Sequence, residues 1–287
     1  MKNSLNERRI YLFKYLNLKR FYYAVGKKGF IEFIISIIFL LFFYAPLINA
    51  GMLAFANQYF YPDILPGEWG FKWWEFILGR DNLIQSIFNS FLIASLVTIV
   101  SLLICIPAAY ALARFDFKFK ESIMFSYLLT NAFPKMGLYV SIAIIFYKFN
   151  LMGSYLGVII IHVINSIMYM VWLPMGAFRS IHKQQEEAAR DVGATPLQTF
   201  FNISLPMAIP GIAVSSIFTF LGSMDESQGT LLVGFPQVKT MATEMYAIIM
   251  DFPITAGAVF SLLLIIPSLI IIFIFRKYIT ADAIQIK

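Results

Sequence analysis

The residues that could perform covalent or metal chemistry are few in this chain. It has two histidines, His162 and His182, and one cysteine, Cys105. The histidines are far apart and lack the H-E-x-x-H spacing that sets two zinc ligands and a carboxylate base on one helical face. No G-x-S-x-G sits at a strand-to-helix turn to present a serine nucleophile. There is no G-x-x-x-x-G-K-[ST] phosphate loop and no G-x-G-x-x-G turn after a strand. One cysteine excludes an internal disulfide and any cysteine-based metal cluster, and Cys105 reads as a small apolar packing residue. An intramembrane enzyme finds no support here, and no metal or cofactor is expected in the chain.

What remains is a set of polar groups inside apolar sequence. Lys135 directly follows Pro134 and would lie about 20 Å into an apolar run at 1.5 Å per residue. A charge at that depth usually faces a cavity or a partner. Two readings stand: an ammonium held by carbonyls that proline frees, or by an acid on a partner chain; or a pathway residue that attracts an anionic substrate. Asn131, one turn earlier, is grouped with it. Asp225 and Glu226 end another apolar run, either as a solvated helix end or as acceptors for sugar hydroxyls or a cation. Glu32 is placed to snorkel to the headgroups. Asn89, Ser90, Thr130, Asn131, Asn165 and Ser166 suit hydrogen bonds between helices, and some would face a translocation path.

The elements that must position these groups follow from composition. The 287 residues are 60% hydrophobic and only 13% charged, too little polar cover for a soluble domain of this size. Crossing a hydrocarbon core of about 30 Å takes about 20 helical residues. Six runs qualify: Phe30–Ala54, Ile87–Arg114, Ser122–Tyr147, Met152–Phe178, Met207–Met224 and Ala256–Phe275. The expected fold is all-α, a polytopic membrane protein with six transmembrane helices. Its parts are a tail over residues 1–29, a six-span domain over 30–278 and a tail over 279–287. The first run is too long for a signal-peptide core and lacks a cleavage site, so it is read as retained. Six spans put both termini on one side. That side collects most of the 22 basic residues, from the tail before Phe30, Arg114–Lys120, Arg179–Arg190 and Arg276 onward. Basic residues favour the cytoplasm, so the +6 net charge is a topology signal and nucleic acid is not expected as a partner. The aromatic segment WGFKWWEFIL, Trp69 to Leu78, suits an interfacial helix on the opposite side. The linker FDFKFKE, Phe115 to Glu121, reads as an interfacial turn.

One organised polar segment interrupts the apolar pattern on the expected cytoplasmic side: QQEEAARDVGATPLQTFFNISLP, Gln184 to Pro206, within a loop of about residues 180–206. Glu186 and Arg190 have the spacing of a helix-stabilising pair. Gly193 suits the left-handed position after a helix. Thr195, Pro196 and Gln198 have the spacing of a capping box with proline in the first turn. Leu197, Phe200, Phe201 and Leu205 would share one apolar face, and Ala188, Ala189 and Val192 a small-residue face. The segment reads equally well as a hairpin lying on the membrane or as a docking element for a cytoplasmic protein.

The stretch EEAARDVGATPLQTFFNISLP resembles the EAA signature of permease subunits of bacterial ATP-binding-cassette importers, at Glu187, Ala188, Ala189, Gly193, Ala194, Phe200, Leu205 and Pro206. NSFLIASLVTIVSLLICIPAAYALARF, FPKMGLYVSIAIIFYKFNLMGSYLGVI and WLPMGAFRSIHKQQEEAAR look like the carbohydrate branch, and within it the MalG-type subunits. Two positions depart from the pattern: Val192 stands where Asp is usual before the glycine, and Ser223–Glu226 replaces a Trp-Asn pair and looks more like polyamine-type permeases. The resemblance implies a subunit of a binding-protein-dependent importer in the bacterial inner membrane, carrying a sugar or oligosaccharide, with acidic ones among the candidates. It implies a second homologous permease subunit, an ATPase dimer that binds the ATP and Mg, and an extracytoplasmic solute-binding protein. It also implies ATPase coupling through Glu187, Ala188, Ala189, Gly193, Ala194, Phe200 and Pro206. Lys135, Asn131, Asp225 and Glu226 are the candidate substrate-pathway residues. A polyamine permease, and from another class an ion-coupled secondary carrier, are the competing expectations.

Overall fold

The computed structural model describes residues 18–279. The first 17 residues and those after 279 lie outside the described residues, as do the side chains of Thr130 and Asn131. The chain divides into two compact units at Leu53.

The first unit is helix α1, Leu18–Leu53. Gly26, at φ 72° and ψ 172°, kinks it near its start, in a backbone region that only glycine enters cheaply. The apolar part, Val25–Leu53, is long enough to cross a membrane.

The second unit opens with a two-stranded antiparallel ribbon, β1 (Ala56–Gln58) and β2 (Glu68–Trp69). Short helix α2 (Lys72–Leu78) follows, where the aromatic segment predicts a helix. Asn57 ties the two together: its side chain accepts from Lys72 N at 3.1 Å and its carbonyl from Trp73 Nε1 at 3.1 Å. Arg80 lies over the rings of Phe76 and Phe252.

Three long helices form the core: α3 (Asp81–Arg114), α6 (Tyr155–Ser180) and α9 (Leu205–Met224). α3 and α6 run parallel. Near their starts, Tyr155 OH donates to Asn89 Oδ1 at 2.9 Å; at their ends, Arg114 Nη2 donates to the Ile181 carbonyl at 3.1 Å. The chain between them therefore has to travel back along the bundle. It does so as two helices, α4 (Lys120–Ala132) and α5 (Lys135–Lys148), and the expectation of one unbroken helix over Ser122–Tyr147 is corrected here. Pro134 has no N–H to donate and its ring clashes with the preceding turn. Phe133 before it is extended, with ψ 151°, as the residue preceding proline prefers. Among the described residues, five helices are long and apolar enough to span a membrane: Val25–Leu53, Asp81–Arg114, Tyr155–Ser180, Pro196–Met224 and Ile254–Phe275. The broken pair falls outside that set because each half is short.

After α9 the chain makes α10 (Gln228–Val233), α11 (Met241–Asp251) and α12 (Ile254–Ile279). At the end of the bundle where α3 and α6 begin, Asn89 Nδ2 donates to the Lys239 carbonyl at 2.8 Å, and Met241 N donates to Ser90 Oγ at 2.8 Å. Halfway along, Ser101 and Ser166 meet at 3.0 Å. Asn89, Ser90 and Ser166 thus make the contacts between segments that their positions predict. Cys105 is buried in the packing of α3 against α6 and α9, with Ala109, Met170, Met175, Phe178 and Ala208.

α9 approaches α6 closely at Gly211, where an added Cβ would lie 2.5 Å from the Cβ of Ala177. Gly211→Val is therefore expected to lower stability by about 1–3 kcal/mol through overpacking, read as a lower melting temperature of the purified chain in detergent. An unchanged melting temperature would show that the two helices can separate there at no cost.

Candidate coupling site

The segment after α6 folds as the local signals predict. Helix α7 is Lys183–Asp191. Gly193 follows at φ 94°. Gly193 N donates to the Arg190 carbonyl at 2.9 Å and Ala194 N to the Ala189 carbonyl at 3.0 Å. These two bonds, with the glycine at the left-handed position, are a Schellman motif. Thr195 then caps α8 (Pro196–Thr199): its N–H donates to Gln198 Oε1 at 2.8 Å and its Oγ1 accepts from Gln198 N at 3.3 Å.

Beyond α8 the expected single apolar face is split. Phe200–Ser204 is a π-helical turn running into α9. An extra residue in the turn advances everything after it by about 100° around the helix. Leu197 (70% exposed) and Phe201 (58%) face outward, while Phe200, Ser204 and Ala208 turn toward α3 and α6. Val192, expected on the small-residue face with Ala188 and Ala189, is 86% exposed. Phe200 packs edge-on to Tyr110 with centroids 4.8 Å apart, and Tyr110 in turn packs on Phe178.

Glu186 does not pair with Arg190 on the surface of α7. It turns inward, 5% exposed, and its Oε1 accepts from Arg114 Nε at 2.8 Å and from Ser204 Oγ at 2.7 Å. Its Oε2 lies 3.5 Å from Tyr110 OH. One carboxylate thus joins the last turn of α3, the helix α7 and the π-turn at the head of α9. Sequence reasoning missed this cluster because its members come from three separate segments. The available signal was an arginine closing an apolar helix and an acid repeated as Glu186-Glu187. Of the expected coupling residues, Glu187, Ala188, Gly193 and Pro206 are exposed, while Ala189, Ala194 and Phe200 are half-buried. Glu187, Ala188 and Ala189 lie together on α7.

The expected pathway residues are not brought together as one group. Asp225 is exposed, whereas Glu226 is buried. Glu226 Oε2 accepts from Tyr139 OH at 2.9 Å and Asn165 Nδ2 at 3.3 Å, and Oε1 from Gly229 N at 2.7 Å. Beside it, His162 Nδ1 is 2.8 Å from Ser223 Oγ and Nε2 is 2.7 Å from Thr230 Oγ1. His162 and Glu226 therefore hold the bend between α9 and α10 to α5 and α6. Lys135 starts α5, exposed, at the break after Pro134. Next to it, Met136 lines an open cavity of about 360 Å³ with Gln228, Leu231, Leu232 and Tyr246. Asn131 lies outside the described side chains.

A helical membrane protein with a charge-anchored helical loop between two spans is the class that this geometry defines. Residues 101–282 match the family of binding-protein-dependent transport system inner membrane components, and the chain belongs to that family. It is 29% identical to the sulfoquinovosyl glycerol transport system permease protein SmoH of Agrobacterium fabrum, over 67% of this chain and 68% of that one. It is 32% identical to the maltose/maltodextrin transport system permease protein MalG of Vibrio vulnificus, over 55% and 56% of the two chains. Its fold matches a chain from a bacterial ABC transporter involved in the import of the acidic polysaccharide alginate, with TM-score 0.64 and 19% identity, covering 88% of this chain and 96% of that one. The protein is a permease subunit of an ATP-binding-cassette importer.

A side chain on Gly193 would meet no atom within 4 Å, so Gly193→Ala tests the backbone alone. It is expected to cost about 1–2 kcal/mol, the penalty of a left-handed non-glycine residue. Gly222→Ala, in the last turn of α9 and also with open space, is expected to be neutral or to stabilise by up to about 1 kcal/mol. Melting of both variants in detergent checks this; shifts of the same sign would contradict it.

Proposed function

We propose that this subunit forms half of a translocation pathway for a sugar or oligosaccharide of acidic character, driven by a separate ATPase through α7. The observation that carries the coupling reading is the exposed surface of α7, which holds Glu187 and Ala188, with half-buried Ala189 on the flank beside Glu186, the residue that fixes the inner face. Small side chains let a partner's surface approach the backbone closely, and Glu187 offers it a polar contact. Gly193 supplies the bend that presents the helix, and Ala194, Phe200 and Pro206 carry the chain on into α9.

On this reading α4 and α5 together make a sixth crossing, because parallel α3 and α6 require a return between them. The 17 positions before the described chain and the residues after α12 then face the cytoplasm with α7, as the distribution of basic residues favours. Residues 30–278 are the permease domain, flanked by the tails 1–29 and 279–287. A second homologous permease subunit completes the pathway. An ATPase dimer holds ATP and Mg, and a solute-binding protein delivers the substrate from the other side.

The substrate assignment is supported by the carbohydrate names among the relatives and by Lys135. The proline break places its ammonium about halfway along the returning segment, exposed within the single chain. An acidic sugar suits that charge. Asn131, one turn before Lys135, belongs to the same proposed stretch of pathway. Glu226, occupied by Tyr139, Asn165 and Gly229, leaves Asp225 as the one available carboxylate of the pair, which disfavours a polyamine.

Ala188→Trp is expected to leave the protein in the membrane while cutting the co-purifying ATPase and substrate uptake by at least about tenfold, the effect of losing 1.4 kcal/mol at a contact. Normal uptake would count heavily against docking through α7. Lys135→Met is expected to raise the half-saturating concentration of an acidic oligosaccharide about tenfold, with a neutral oligosaccharide unaffected. Uptake into vesicles holding the assembled complex checks this, and an unchanged substrate range would remove Lys135 from the pathway.

A further inference from the structure

We propose that the Arg114–Glu186–Ser204 cluster is the joint that transmits displacement of α7 to α3 and α9 together, with Glu186 as its positioning residue. The proposal rests on the reading of α7 as the ATPase-facing helix. It goes further by naming the attachment through which the movement leaves that helix.

The attachments of α7 are few. Toward its C-terminus the chain leaves through exposed Gly193, where an added Cβ would meet no atom within 4 Å. Toward its N-terminus, Ile181 is buried among α6 and its neighbours. Within the helix itself, Glu186 is the one buried residue. Its Oε1 takes hydrogen bonds from Arg114 on α3 and from Ser204 on the π-turn, while Arg114 Nη2 also holds the Ile181 carbonyl just ahead of α7.

The side chains of the ion pair are only 6% and 7% exposed, beside Tyr110, which packs in turn on Phe178 and Phe200. A shielded, hydrogen-bonded charge pair resists sliding, because each step away from its geometry strands a charge out of water. Apolar contacts lack that directionality. A push on α7 therefore arrives at the end of α3 and at the head of α9 as one displacement. From Ser204, α9 runs 20 residues to Met224, about 30 Å at 1.5 Å per residue. The far end of that rod carries Ser223, bonded to His162, and leads through Glu226 into α10, where Gln228 lines the open cavity. The π-turn supports the same assignment, since its extra residue is what brings Ser204 round to Glu186.

The test uses the complex purified from its own host, with Cys105→Ala removing the native thiol and Gln228→Cys placing a reporter beyond the far end of α9. The probe is a non-hydrolysable ATP analogue with Mg, and the readout is the rate at which a maleimide labels residue 228. With Glu186 intact, nucleotide is expected to change that rate by about fivefold or more, the usual range of coupling between sites. Glu186→Gln is expected to abolish the change while the ATPase still co-purifies and binds nucleotide. Ser204→Ala, which removes no charge, serves where Glu186→Gln does not assemble, and is expected to reduce the change. The exchange Arg114→Glu with Glu186→Arg is expected to restore it. A nucleotide response that persists in assembled Glu186→Gln or Ser204→Ala overturns the joint and leaves the docking reading standing. No response with Glu186 intact, in a complex that holds its ATPase, overturns the transmission along α9. Absence of any co-purifying ATPase from the chain with Glu186 intact defeats the docking reading, and the joint with it.

Discussion

A carboxylate and a guanidinium buried together at the foot of an apolar bundle are costly to place there. Removing each ion from water costs several kcal/mol, and only close geometry with further hydrogen bonds offsets that cost. At Arg114 and Glu186 the geometry is met by a 2.8 Å contact, the Ser204 hydroxyl and the Ile181 carbonyl. The surrounding structure follows from satisfying that pair. α3 must end where its arginine meets the end of α6, α7 must present Glu186 inward, and the chain entering α9 must bring a hydroxyl to the same oxygen. The last condition accounts for the π-turn at Phe200–Ser204: it rotates Ser204 inward and leaves Leu197 and Phe201 exposed.

Local chemistry was legible in the sequence and phase was not. Gly193, Thr195, Pro196 and Gln198 specify their turn and cap within a few residues of chain, so spacing alone predicts them. The division of Leu197, Phe200, Phe201 and Leu205 between two faces depends on a turn that is stabilised from outside, by α3 and α6. A 3.6-residue pattern cannot anticipate it. The inward turn of Glu186 is hidden in the same way, because Arg190 offers an equally plausible partner four residues on.

The transmembrane pattern shows the converse. At the scale of a span the run Ser122–Tyr147 is apolar enough to read as one element, although the residue that breaks it was in plain view. Proline acts on backbone geometry, which an apolar count does not register. Asp225 and Glu226 were equally hard to separate. Adjacent acids look alike in sequence, yet the chain turns from α9 into α10 at this point, leaving one exposed and enclosing the other among Tyr139, Asn165 and Gly229. Asn89, Ser90, Asn165 and Ser166 were easier, because a polar group in an apolar helix has few options besides a carbonyl of its own helix or a group on a neighbouring segment.

The two polar clusters give α9 a particular mechanical character. At its head, Ser204 is bound to the ion pair; at its tail, Ser223 and the following bend are bound to His162 and Glu226. Between them the helix packs on α6 through Ala208, Gly211 and Ser215, positions too small to interlock deeply. Directional bonds tie both ends of α9 to its neighbours, and the backbone ladder between them favours movement of the helix as a rigid piece, since bending it would break hydrogen bonds within the helix. An energy source outside the chain needs such a piece. On the proposed reading, work done by a separate ATPase reaches the pathway as displacement of α7. A helix held by hydrogen bonds at both ends is suited to pass that displacement on without absorbing it.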